Sequence, residues 1–126
     1  MVRESKVKQK SYAFALLVID AARMLQQRKE YVLSNQLLRS GTSIGANVEE
    51  ANAAQTKRDF IAKMAIASKE ARESDYWLRL LSDAGYLDKG SADELRSMCL
   101  ELIKMLTAIV KTSQLNTKHG SLTIKP

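Results

Sequence analysis

The chain has 126 residues, 45% hydrophobic and 27% charged, with a net charge of +6. That balance and length suit one globular domain with a single sizeable core. They exclude a membrane span, because no apolar run is long enough, and the positive balance points to partners that carry negative charge. The only proline is the last residue, and glycines number five, so turns are scarce and a few long elements are expected. The single Cys99 lies within an apolar helical pattern. It excludes a disulfide within one chain, and the lack of a clean cleavage site after the first apolar run argues against a secretory signal. The cytoplasm is the expected compartment, and no cofactor is expected.

In chain order, Val7, Ser11, Phe14, Val18, Ala21 and Leu25 recur at alternating steps of four and three. That is the seam of a helix bundle and predicts a first helix over about 5–28, widened by Leu17 and Met24. A second helix is expected over 34–53, with Ser34 as its N-cap. The third is expected over 56–84. Thr56 and Asp59 resemble a capping box, and Gly85 follows the end as a C-terminal glycine should. Its seam is Phe60, Met64, Ala67, Ala71, Ser74, Leu78 and Leu81. Ser91 and Glu94 form a second capping box, which predicts a fourth helix over 91–115. Leu95, Cys99, Leu102, Leu106 and Ile109 make its seam, with Met98, Ile103, Met105 and Val110 beside it. Residues 117–126 are expected to be a flexible tail. The fold class is therefore all-α: one domain over 1–126, an antiparallel up-down-up-down four-helix bundle. Helices one and four have more apolar width than one seam needs, which implies self-association or else a thick core.

The stretch "RSGTSIGANVEE", residues 39–50, admits two readings. As a loop, Gly41 would be a C-cap and Asn47 with Glu50 a new capping box. As a helix, Leu33, Leu37, Gly41, Ile44, Val48 and Ala51 keep the heptad phase without a break. A loop has no reason to keep phase, so the continuous helix is favoured. Each glycine then costs about 0.5–1 kcal/mol relative to alanine, and close approach of another backbone is the expected return. Helix three offers small residues for it: Ala65, Ala67, Ser68, Ala71 and Ser74. A phosphate loop is excluded, since no lysine follows the glycines and no strand precedes them.

Basicity concentrates at the ends. Lys6, Lys8 and Lys10 face one early acid, Glu4, and no acid follows Glu101, whereas Lys104, Lys111, Lys118 and Lys125 recur every seven residues. Lys6, Lys8, Lys10, Lys104 and Lys111 are the candidate phosphate contacts for RNA or DNA, against the alternative of solvated faces. Arg39, Ser43, Asn47, Glu50, Glu70 and Glu73 are candidates for a polar layer between helices two and three, or else for surface ion pairs. Trp77 follows Tyr76, so one should face the core and the other a neighbour or solvent; Trp77 is a candidate interface anchor or core residue.

The runs "LSNQLLRSGTSIGANVEEA" and "FIAKMAIASKEARESDYWLRLL" resemble a bacterial four-helix-bundle family known as 23S rRNA intervening-sequence proteins, often labelled ribosomal proteins. Arg39, Ser40, Ser43, Ile44, Ala46, Asn47 and Glu50 match a family motif that reads approximately R-S-x-x-S-I-P-A-N-I-x-E-G. Gly45 stands where proline is usual and Ala51 where glycine is usual, changes that bear on a local kink. Phe60, Glu70, Glu73, Tyr76, Trp77 and Leu78 resemble a second signature, and the likeness spans about residues 5–115. The resemblance implies an antiparallel bundle assembled as a ring-like homo-oligomer, with a homopentamer favoured, and no catalytic activity. Related proteins bind a reverse transcriptase and nucleic acid, which makes these the expected partners.

Enzyme chemistry finds little material. The only histidine, His119, lies in the tail, so a Ser-His-Asp arrangement has no fixed base. A carboxylate metal site from Glu50, Glu70 and Glu73 is the minor alternative, without the histidines that a di-iron bundle uses. A protein-interaction module without a nucleic-acid role is the other alternative.

Overall fold

The computed structural model describes the backbone of residues 2–124 and the side chains of residues 6–116. Four helices account for nearly all of it: α1 Val2–Gln27, α2 Val32–Asn52, α3 Lys57–Asp83 and α4 Lys89–Ile124. Among the described residues there is no strand. No helix is long and apolar enough to cross a membrane.

Each start has a local cause. Thr56 is extended, and its hydroxyl accepts the Asp59 amide at 3.0 Å, so the expected cap of α3 is present. At α4 the expected box is displaced. Asp88 accepts the Ser91 amide at 3.0 Å, so Asp88 caps the helix and Ser91 lies within its first turn. That amide bond holds the Asp88 carboxyl below the ordinary aspartate range. An aspartate at the N-cap satisfies a free N–H and opposes the helix dipole. Ser34 is likewise not the cap of α2. The helix begins at Val32, and the Glu30 carboxylate accepts the Leu33 amide at 2.8 Å, while Ser34 turns inward, fully buried, to donate to the Tyr31 carbonyl.

The ends differ in chemistry. Lys29 ends α1 in the left-handed region at φ 65°, and Gly85 does the same after α3 at φ 84°. Only glycine adopts that conformation without a Cβ penalty, so the turn at Lys29 carries strain that the one at Gly85 does not. The two turns lie at one end of the bundle, tied by the Arg28 guanidinium donating to the Tyr86 carbonyl. α4 passes its expected end at 115 and is helical to Ile124 in place of the expected flexible tail; residues 125 and 126 lie outside the described residues. No proline intervenes before Pro126, and a lone glycine costs a helix only about 1 kcal/mol.

Residue pairings show the topology. Gly41 meets Val18 and Gly45 meets Ser11, so α2 descends along α1. Ser40 bonds Ser74 while Glu50 pairs with Lys63, so α3 is antiparallel to α2. Cys99 bonds Ala71 and Arg96 bonds Asp75, which sets α4 antiparallel to α3. Lys10 pairs with Glu101, and α4 closes the ring against α1 in the thinnest of the four helix contacts.

The predicted seams are the core. Val7, Phe14, Val18 and Leu25 of α1 are fully buried, with Leu37, Ile44 and Val48 of α2, Met64, Ala67, Ala71, Leu78 and Leu81 of α3, and Cys99 and Leu106 of α4. Burial pushes the Cys99 thiol up to about 12, which makes it an inert core group donating to the Ala71 carbonyl.

The continuous helix through residues 39–50 is present, but its glycines face α1, not α3. A Cβ on Gly41 would lie 2.7 Å from Val18 Cγ1, whereas one on Gly45 would meet Ser11 Oγ at 3.4 Å. The small residues of α3 divide their work. Ala67, Ala71 and Ser74 are buried, Ser74 donating to Ser40 at 2.9 Å, while Ala65 and Ser68 face a cleft beside α4.

Candidate functional site

The conspicuous polar constellation lies between α2 and α3. Arg39 extends from α2 and donates to Glu70 at 3.1 Å and also to Glu73. Glu73 in turn accepts the Trp77 indole N–H at 3.0 Å, one turn along α3. The indole bond, with Arg39 behind it, holds the Glu73 carboxyl below the ordinary range, and Glu73 raises the Arg39 guanidinium. Trp77 is half-buried and meets Tyr76 edge to face, with ring centres 5.1 Å apart. It therefore spans core and surface, as neither simple assignment required.

The rest of the expected layer separates. Asn47 donates to the Ser43 carbonyl and hydroxyl within α2, at 2.9 and 3.1 Å. Glu50 pairs with Lys63 at 2.8 Å, away from Glu70 and Glu73. Among the described residues, no group of three His, Cys, Asp or Glu could hold a metal ion. Gly41 and Gly45 lie against α1, so the motif of α2 splits by face: glycines toward α1, Arg39 and Glu50 toward α3.

The Glu73 contacts give a pH-dependent expectation. Its carboxyl titrates lower in the folded chain than its ordinary 4.5, so its contribution to stability is present above that pH and is lost as pH falls through the folded value. Glu73→Gln should lower stability at neutral pH by about 1 kcal/mol. The difference from wild type should close in acid, as read from denaturant unfolding across pH. A constant difference would show that Glu73 acts through shape and not charge.

The five candidate lysines do not form one face. Lys8 reaches Glu49 of α2 at 3.4 Å, and Lys10 reaches Glu101 of α4 at 3.1 Å, so both are shared with carboxylates. Lys6, Lys104 and Lys111 are exposed and have no ion pair among the described residues. The side chain of Lys118 lies outside the described residues.

Two polar features escaped the sequence reading. Asp75 is buried on α3 and accepts Arg96 of α4 at 2.8 Å and Arg79 at 3.2 Å. It sits one position past the seam residue Ser74, and an aspartate beside a seam is the signal that could have found it. The other is a cleft of about 240 Å³ between α3 and α4, lined by Ala65, Ser68, Arg72, Thr107, Val110, Lys111 and Gln114. Arg72 Nη2 donates to Thr107 Oγ1 across it at 3.2 Å.

The model for the 23S rRNA-intervening sequence protein family matches residues 3–108. A solved structure from Bacteroides thetaiotaomicron, described as a protein of unknown function from the S23 ribosomal protein family, superposes with a TM-score of 0.84 at 43% identity. It covers 86% of this chain and 98% of its own. No curated protein matches the chain. The match over most of the length, in a bundle whose seams and α2 motif fall where the structure needs them, means that the chain belongs to the 23S rRNA-intervening sequence protein family.

Proposed function

We propose that this protein is a non-enzymatic helical scaffold that self-associates and binds RNA or DNA through phosphate neutralisation, without reading bases. The observation that carries this is the distribution of charge along α4. Past Glu101 the helix has no acid, and Lys104 and Lys111 stand exposed on one stripe without a carboxylate partner among the described residues. Several other cations hold carboxylates instead: Arg39 two glutamates, Arg96 Asp75, Lys63 Glu50. Lys6, near the start of α1, adds to the basic surface, with Lys8 and Lys10 available where phosphate displaces a carboxylate.

Self-association is supported by apolar groups in water. Tyr12 and Leu16 of α1 and Leu100 of α4 are exposed at 69%, 50% and 45%. The family resemblance favours a homopentameric ring, and a reverse transcriptase is the protein partner it suggests.

A titration of labelled oligonucleotide at several salt concentrations tests the reading. Affinity should fall steeply with salt, because each phosphate contact releases counterions, by about 0.7–0.9 in log–log slope per contact. Absence of binding at low salt would leave a pure protein-interaction module. Light scattering tests assembly separately, and a monomer mass would overturn it.

A further inference from the structure

We propose that the α3–α4 cleft seats one backbone phosphate of a bound nucleic acid, held by Arg72 and Lys111; this rests on the nucleic-acid reading above and names where on the bundle it acts. The cleft lies where α3 presents the short side chains of Ala65 and Ser68 beside Val110 and Gln114 of α4, an open groove of about 240 Å³. Its lining carries two cations, three neutral hydrogen-bonding groups in Ser68, Thr107 and Gln114, and no carboxylate. That composition fits a group with several acceptor oxygens and negative charge.

Arg72 is the informative residue. Arg23, Arg39, Arg79 and Arg96 hold carboxylates, whereas Arg72, like Arg28 and Arg58, has none within ion-pair distance among the described residues. Among the described residues the Arg72 side chain bonds the Thr107 hydroxyl, at 3.2 Å. A neutral acceptor orients the guanidinium and leaves its charge uncompensated. Most of its five donors stay free, in a planar fork that matches a phosphate. Lys111 stands one turn beyond Thr107 on the same face, and Lys104 lies one turn before it, so an incoming strand meets a basic approach to the cleft.

The test uses the full-length protein and a labelled single-stranded oligonucleotide titrated over a salt series. Arg72→Gln and Lys111→Gln should each flatten the log–log salt slope by about 0.7, one single-strand phosphate contact. Lys89→Gln removes the same charge at the start of α4, outside the cleft, and should leave the slope unchanged. Ser68→Leu and Ala65→Met fill the cleft without changing charge, and each should weaken binding several-fold, an effect that surface charge alone does not predict. Thermal unfolding confirms that these variants fold. If both filling variants bind like wild type, or Arg72→Gln behaves like Lys89→Gln, the seat is overturned while the nucleic-acid reading stands. If the wild-type protein fails to bind at low salt, both fall.

Discussion

Phe14→Ala is expected to lower the unfolding free energy by about 3–5 kcal/mol, a large part of the roughly 5–15 kcal/mol of a typical domain. Phe14 heads the fully buried side chains by volume, and the seam residues of all four helices surround the same core. The seam prediction itself is under test here: urea unfolding of wild type and variant measures the difference directly. A loss below about 1 kcal/mol would mean that α1 packs elsewhere than along Val7, Phe14, Val18 and Leu25.

The two glycines of α2 should respond in opposite directions. Gly41→Ala gains about 1 kcal/mol of helix propensity but sets a methyl 2.7 and 2.8 Å from the two γ-carbons of Val18. Valine is stiff at χ1, so the methyl is relieved only by moving α1 from α2. Overpacking of this kind costs about 1–3 kcal/mol, and the net result is destabilisation. Val18→Ala removes the obstacle, so the double variant should lose less than the sum of the two single changes, as a double-mutant cycle reads. Gly45→Ala meets its nearest atom at 3.4 Å, an ordinary contact, and should raise stability by about 0.5–1 kcal/mol. Chemical denaturation of the two variants decides it, and a stabilising Gly41→Ala would refute the close α1–α2 packing.

The contrast shows where sequence reasoning reached its limit. Heptad phase identified Gly41 as a seam position and the helix as unbroken, since both follow from one chain's periodicity. It assigned the close partner to α3 because that helix holds the small residues. The structure places the glycines against α1, where Val18 and Ser11 lie at the same level. In the same way Glu50 belonged on paper with Glu70 and Glu73, and in space it belongs with Lys63.

From the sequence alone followed four helices, their seams, the cap at Thr56, the turn at Gly85 and the family. These depend on local backbone preference and on a repeat that one strand of text carries whole. Only the tertiary structure decided which helix each face meets, that among the described residues Lys8 and Lys10 are shared with carboxylates while Lys104 and Lys111 are not, and that Arg72 stands over an open cleft. Those facts depend on the relative height and rotation of packed helices, which side chains far apart in the chain determine together.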